Sequence, residues 1–136
     1  MKVVLDTNVV VSGFFFGGVP GSILNAWRDG RVHLVLSAPI LAEYREVGAE
    51  LESRYGGSDF EPFAALLVLH SEIVDAPEHF HEPACSDPDD DKFLTCAMAA
   101  GASTVVSGDT ALLNMDGWRG IEVLKPRAFV DRHLKG

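Results

Sequence analysis

Short apolar segments rich in valine and leucine recur along the chain, at residues 2–5, 32–36, 103–106 and 121–124. Each segment has the length of a β-strand and ends in a polar or turn residue. Longer segments of helical character separate these runs. Strands that alternate with helices predict a parallel sheet with helices on both faces.

The segments between the apolar runs carry signals of helix starts and stops. Residues 39–51 begin with Pro39 directly after Ser37 and Ala38, as a helix N-terminus often does. Residues 60–70 are so apolar that they predict a buried helix. Further helices are predicted at 21–28, 88–100 and 126–134, with a break at 55–58 and a loop at 77–88. The expected fold is a three-layer α/β/α arrangement around a central, mainly parallel sheet of four to five strands.

Length and charge narrow the class of protein. The chain has 136 residues, which suits a single domain spanning residues 1–136. Its two cysteines form no disulfide framework, and no apolar run reaches the length of a membrane span, so we expect a cytoplasmic protein without membrane contact. The net charge of −9 argues against non-specific electrostatic binding to nucleic acid, although bound divalent ions would reverse the local sign.

Four carboxylates occupy positions where the predicted strands and helices bring them together. Asp6 follows the first strand, and Asp109 follows the strand at 103–106. Glu43 lies one turn into the helix after the second strand, although Glu46 competes for its role. Asp91 lies in the first turn of the helix that precedes the third strand. Ligands of open α/β sheets bind beyond the carboxyl ends of the strands, so these acids are expected at one edge.

The stretch SDPDDDKFL at residues 86–94 crowds four aspartates into five positions. Asp87 suits an N-cap, Pro88 suits the first helical position, and Asp89 and Asp90 then fall where the helix dipole favours negative charge. Asp91 differs, because it shares a helix face with Leu94 and Met98, which we expect to face the sheet. A desolvated carboxylate needs a partner, which a Mg²⁺ or Mn²⁺ ion shared with Asp6 and Asp109 or a base such as Lys92 would supply.

These motifs together resemble the PIN domain. The order LDTN, SAPILAEYREV, DPDDDKFLTCAMAAGASTVVSGD and EVLKPRAFV covers nearly the whole chain and is most similar to VapC-like toxins of toxin–antitoxin systems. The resemblance implies a Mg²⁺- or Mn²⁺-dependent endoribonuclease that hydrolyses single-stranded RNA to products with a 5′-phosphate. It also implies a homodimer and a basic antitoxin as partner, and it maps the acidic metal site onto Asp6, Glu43, Asp91 and Asp109.

The implied chemistry assigns further roles. The ions would bind a scissile phosphate oxygen and lower the pKa of an attacking water, and one acid would help to deprotonate that water. Asn8 and Ser107 would orient the metal ligands, and Asp89 would make a contact through water.

Other interpretations remain open at this point. Each acid taken alone is explained by a structural role: Asp6 and Asp109 as turn or cap residues, Glu43 as a solvated helix residue. A phosphatase with Asp6 as nucleophile normally has a second acid two residues later, where this chain has Asn8. A non-catalytic binding module of the same fold is the other alternative. The aromatic run at 14–16 fits either a partner surface or the core, and His79, His81 and Cys85 fit a polar loop better than a soft-metal site.

Overall fold

The computed structural model describes residues 1–135 and contains a five-stranded sheet. The strands are β1 (Lys2–Leu5), β2 (His33–Leu36), β3 (Glu72–Ile73), β4 (Thr104–Val106) and β5 (Glu122–Leu124). Their order across the sheet is β3-β2-β1-β4-β5, and every neighbouring pair is parallel. The four strands expected from the apolar runs are confirmed, as is their parallel direction. The two-residue strand β3 is the fifth.

Helices connect the strands. They are α1 (Thr7–Phe16), α2 (Gly18–Arg28), α3 (Ala38–Tyr55), α4 (Phe60–His70), α5 (Asp91–Ala100), α6 (Thr110–Leu113) and α7 (Pro126–Phe129). A 3₁₀ turn at Pro88–Asp90 leads into α5, another at Trp118–Gly120 precedes β5, and a π-helical turn at Val130–Leu134 follows α7. The predicted helices are all present, and the predicted break and loop lie where they were expected.

The helices and the sheet form a three-layer α/β/α fold, as expected. Helix α5 packs against β1, β2 and β4, whereas α1 packs against α2 and α3, and α3 packs against α4. Every side chain of β1 and β4 except that of Lys2 is buried, because a parallel sheet covered by helices on both faces leaves no side solvated. Between α3 and α4 the contact is close, since a Cβ added at Gly48 would lie 2.4 Å from the ring of Phe60.

One helix was not predicted from the sequence, and one prediction about a helix is wrong. Helix α1 was not predicted, because TNVVVSGFFF is rich in β-branched and aromatic residues that disfavour helices in isolation. Helix α4 is not buried: Phe60, Ala64 and Leu67 face the core, but Leu69 is 73% exposed. Only one face of α4 packs against the core, and the face exposed to solvent is apolar as well.

The connections create a crevice at one point of the sheet. From β1 the chain moves outwards to β2 and β3, then crosses back along α5 to β4 on the other side of β1. The strand order therefore reverses between β1 and β4, and open α/β sheets bind ligands beyond the carboxyl ends of the strands at such a point. Asp6 follows β1 directly, and Ser107 follows β4.

Within residues 1–135 no single helix is both long and apolar enough to cross a membrane; only the bent pair of α1 and α2, taken together, passes by length and composition.

Candidate active site

A pocket of about 470 Å³ lies at the crevice between β1 and β4. Four of the residues that line it are acids from four separate elements: Asp6, Glu43, Asp90 and Asp109. Thr7 and Asn8 from the start of α1 line it as well. Three of the four acids predicted from the sequence therefore share one pocket, and the fourth acid in it is Asp90.

Asp6 is fixed at the end of β1 by two hydrogen bonds. Its Oδ1 accepts from the backbone N–H of Thr7 at 2.7 Å, and its Oδ2 accepts from the Ser107 hydroxyl at 2.6 Å. Burial raises the pKa of the Asp6 carboxyl, and the charges of Glu43 and Asp109 add to the rise, while the two hydrogen bonds oppose it. The carboxylate is thus oriented but short of positive charge.

Ser107 links the two strand ends. Its hydroxyl donates to Asp6 and accepts the backbone N–H of Asp109 at 2.9 Å. The role predicted for Ser107 as an orienting residue fits this geometry. Asp109 also caps α6, because its Oδ1 accepts from the backbone N–H of Ala111 at 3.3 Å. The cap and the position in the pocket are compatible, since the other oxygen is not used by the cap.

Glu43 enters the pocket from α3. One of its oxygens accepts from the Thr7 hydroxyl, and Oε1 lies 3.0 Å from the ammonium of Lys92. Its rival Glu46 is exposed and lines a neighbouring pocket of about 450 Å³, together with Asp89 and Lys92. The structure therefore places Glu43 in the site and Glu46 outside it.

Asp90 belongs to the 3₁₀ turn before α5 and projects into the pocket. Its Oδ2 is buried and accepts no hydrogen bond from any described group. Burial raises the pKa of Asp90 to about 8, and the neighbouring Asp109 carboxyl and the charges of Asp6 and Asp87 add to the rise. An unpartnered carboxylate among carboxylates is what a bound cation would stabilise.

Asp91 is placed elsewhere, so its sequence-based assignment to this pocket needs correction. The residue is fully buried, as the helix-face argument predicts, but its carboxylate accepts the backbone N–H groups of Ala84 at 3.0 Å and Cys85 at 2.8 Å. The buried Asp91 carboxylate therefore has the backbone of the loop before α5 as its partner. Met98, expected on the same buried face, is 41% exposed.

The remaining acids of the cluster behave as helix-end residues. Asp87 accepts from the backbone N–H of Asp89 at 3.0 Å, and Pro88 begins the turn. The expected cap is confirmed. Asp89 itself is exposed and lines the neighbouring pocket together with Lys92. Asn8 is exposed at the mouth of the main pocket.

Sequence reasoning missed three participants: Asp90, Lys92 and Thr7. A signal for Asp90 was present, because Pro88 can begin a 3₁₀ turn, and such a turn changes the direction in which Asp90 points relative to the residues of α5. No sequence signal indicates that Lys92 turns inwards to Glu43 and not outwards to solvent.

The side chains that line the pocket determine which divalent metals could bind in it. Among residues 1–135, no group of three or more His, Cys, Asp or Glu side chains is arranged so that it could hold a metal ion without rearrangement, and this includes His79, His81 and Cys85. The pocket instead presents separate carboxylates around open space, one with a buried unpartnered oxygen. Oxygen donors of this kind suit Mg²⁺ or Mn²⁺, which retain several water ligands.

Comparison with known families agrees with this geometry. A family model described as the PIN domain matches residues 2–111, a range that contains all four pocket acids. No curated protein matches the chain at a significant level. PIN domains are generally nucleases and typically use divalent metals. The chain belongs to the PIN domain family.

Proposed function

We propose that this protein is a Mg²⁺- or Mn²⁺-dependent endoribonuclease that hydrolyses phosphodiester bonds of single-stranded RNA. The observation that carries the proposal is the buried, unpartnered Oδ2 of Asp90 in a pocket shared with Asp6 and Asp109. A site with this charge repels an RNA phosphate unless cations are present. A divalent ion would supply the missing positive charge and polarise a phosphodiester and a water for hydrolysis.

The residues divide the work by position. An ion in the pocket would draw the carboxylates of Asp6, Asp90 and Asp109 towards it, and Asp90 would have the role that the sequence assigned to Asp91. Ser107 keeps Asp6 and the Asp109 backbone in register through its two hydrogen bonds. Asn8 is exposed at the pocket mouth, where its amide can donate to a phosphate oxygen or a ribose hydroxyl.

Glu43 is suited to a role in moving a proton. Its carboxylate is partly exposed to the pocket and is held by Thr7 and Lys92. Held in this way, it can accept a proton from a water that lies between it and the phosphate. Attack by that water would leave a 5′-phosphate on one product and a 3′-hydroxyl on the other.

A cleavage assay with matched substitutions tests the proposal. Parent protein, Asp6→Asn and Asp109→Asn are incubated with end-labelled single-stranded RNAs, with Mn²⁺ or with a chelator. We expect Mn²⁺-dependent cleavage by the parent and a loss of roughly 100-fold or more in both variants. Asp131→Asn serves as a control, because Asp131 pairs with Lys135 on the surface. Equal inactivity of all four proteins on several RNAs with metal would favour the binding-module alternative.

The proposed biological setting is that of a toxin in a toxin–antitoxin pair, acting as a homodimer and inhibited by a basic antitoxin. Two features support it: the net charge of −9, which suits a basic partner, and the exposed apolar side chains of Leu66, Val68 and Leu69 on α4 and of Phe16 on α1. Sedimentation of the parent and of Leu69→Lys tests self-association. A parent that stays monomeric at high concentration would contradict the dimer.

A further inference from the structure

Lys92 is a buried cation at the border of the candidate active site. Its side chain is only 6% exposed. Among the described residues that line the main pocket and the neighbouring one, it is the only cation. Lysine is almost never buried to this degree without a partner, so its contacts explain its position.

The ammonium of Lys92 joins two elements that carry site acids. It lies 3.0 Å from Oε1 of Glu43 on α3 and donates at 2.5 Å to the backbone carbonyl of Asp89, the residue before Asp90. It also lies 5.5 Å from the centre of the Phe93 ring. With two directional contacts and little solvent, the ammonium is held in one place.

The charges of the pocket are therefore balanced unequally. On the α3 side, Glu43 has one oxygen bound by the Thr7 hydroxyl and the other by Lys92. In the 3₁₀ turn before α5, Asp90 has a buried oxygen without a hydrogen-bond partner. The protein supplies its own cation to one side only, and the other side is left for an ion from solution.

We propose that Lys92 is a positioning residue that permanently occupies the cation position beside Glu43, so that the pocket takes one divalent ion and not two. That ion binds on the side of Asp6, Asp90 and Asp109, and Glu43 reaches it through water. The inference rests on the proposed metal-dependent function and adds to it the number of ions and the reason for that number.

Removal of Lys92 should leave the Asp90 turn in place, because other contacts hold that turn. Asp87 caps it through the backbone N–H of Asp89 at 3.0 Å, and Asp91 anchors the start of α5 to the preceding loop through two backbone N–H groups. The main effects of Lys92→Met are therefore electrostatic: one positive charge is lost and Glu43 is released.

A titration of bound Mn²⁺ by electron paramagnetic resonance tests the inference without any activity measurement. We expect one ion for the parent and one for Lys92→Arg, which keeps the charge. Lys92→Met should bind a second ion, or bind the first at least about tenfold more tightly. Glu43→Gln should keep one ion with no more than about a tenfold loss of affinity, as expected for a contact through water.

Arg45→Met is the matched control, since Arg45 is an exposed cation on α3, the helix that carries Glu43, and its partner is Glu61 at 3.0 Å. It should bind Mn²⁺ like the parent. Two ions on the parent, or loss of the ion in Glu43→Gln, would overturn the inference. Thermal unfolding shows whether Lys92→Met is folded, and if it is not, the ion counts of the parent and Glu43→Gln decide.

The RNA assay separates this inference from the proposed function. A parent that binds one ion, with the expected response to each substitution, but cuts no RNA would defeat the nuclease and leave the role of Lys92 standing. A parent that cuts RNA with two bound ions would do the reverse.

Discussion

Substitution of Asp91 by asparagine separates a structural acid from a catalytic one. The Asp91 carboxylate is fully buried and accepts one backbone N–H on each oxygen, from Ala84 at 3.0 Å and Cys85 at 2.8 Å. Asparagine has a single side-chain oxygen, so one of these N–H groups would face the donor –NH₂ of the amide. One charge-assisted hydrogen bond is lost and the other is weakened.

The expected loss in the free energy of unfolding follows from what such hydrogen bonds contribute to it. A hydrogen bond to a charged group contributes about 1.5–3 kcal/mol, and a buried donor left unsatisfied costs about 1–3 kcal/mol. Asp91→Asn should therefore lower the free energy of unfolding by roughly 2–4 kcal/mol. For a chain of 136 residues this corresponds to a fall in Tm of roughly 10 °C. The loop before α5 should lose protection from hydrogen exchange first.

Asp90→Asn is the matched comparison one residue away. Asp90 lines the pocket and has an unpartnered buried oxygen, so its replacement removes a metal-binding charge without breaking a hydrogen bond. Without metal, Asp90→Asn should be at least as stable as the parent at pH 7, because it removes a carboxyl whose ionisation the fold disfavours. It should also lose RNA cleavage by roughly 100-fold or more. Asp91→Asn, assayed well below its Tm, should retain cleavage within about tenfold of the parent.

The pair of measurements is unfolding by heat and denaturant without metal, and cleavage of end-labelled RNA with Mn²⁺. Asp89→Asn, an exposed neighbour, controls for the general loss of a negative charge. Folded Asp91→Asn without activity, beside an Asp90→Asn that cleaves like the parent, would show that the residue facing the metal has been misassigned.

Three further predictions concern pH and packing. Because the pKa of Asp90 is raised from 3.8 to about 8, the folded metal-free protein binds a proton that the unfolded chain releases, so its stability should fall as pH rises from about 4 to 8. Asp90→Asn should flatten this slope in a series of Tm measurements. An unchanged slope would show that Asp90 does not cause the pH dependence. Gly48→Ala should lower the free energy of unfolding by about 1–3 kcal/mol in urea, despite the better helix propensity of alanine, because its Cβ would meet the Phe60 ring at 2.4 Å; a stabilised variant would show that this contact relaxes freely. Tyr44→Phe should cost about 1 kcal/mol in the same assay, because the buried Tyr44 hydroxyl donates to the Leu5 carbonyl at 2.5 Å, and no cost would mean that this bond contributes nothing.

Much of the architecture follows from the order of residues in the chain. The apolar β-branched runs at 2–5, 32–36, 103–106 and 121–124 were predicted as strands because they have strand length and end in polar or turn residues, and the helices between them impose the parallel direction. Asp6 and Asp109 could be placed at the site because both follow the carboxyl end of a strand, and these ends lie at one edge of a parallel sheet. Glu43 followed for the same reason, one turn into the helix after β2.

The tertiary structure decided what local patterns could not. The 3.6-residue period correctly buried Asp91, but its partner depended on the path of the loop that brings the backbone of Ala84 and Cys85 against it. Helix α1 also depended on packing, because its β-branched sequence disfavours a helix until α2 and α3 cover it.

The 3₁₀ turn at Pro88–Asp90 decided which acid enters the pocket. A 3₁₀ turn has three residues per turn and not 3.6, so a count back from α5 misplaces the residue before it. The contact of Lys92 with Glu43 joins residues that lie 49 positions apart in the printed sequence. Such pairing depends on how two helices are placed against one sheet. Composition and periodicity indicate which face of a helix or strand is buried. Which side chain or backbone group that face contacts depends on how the elements pack in the fold.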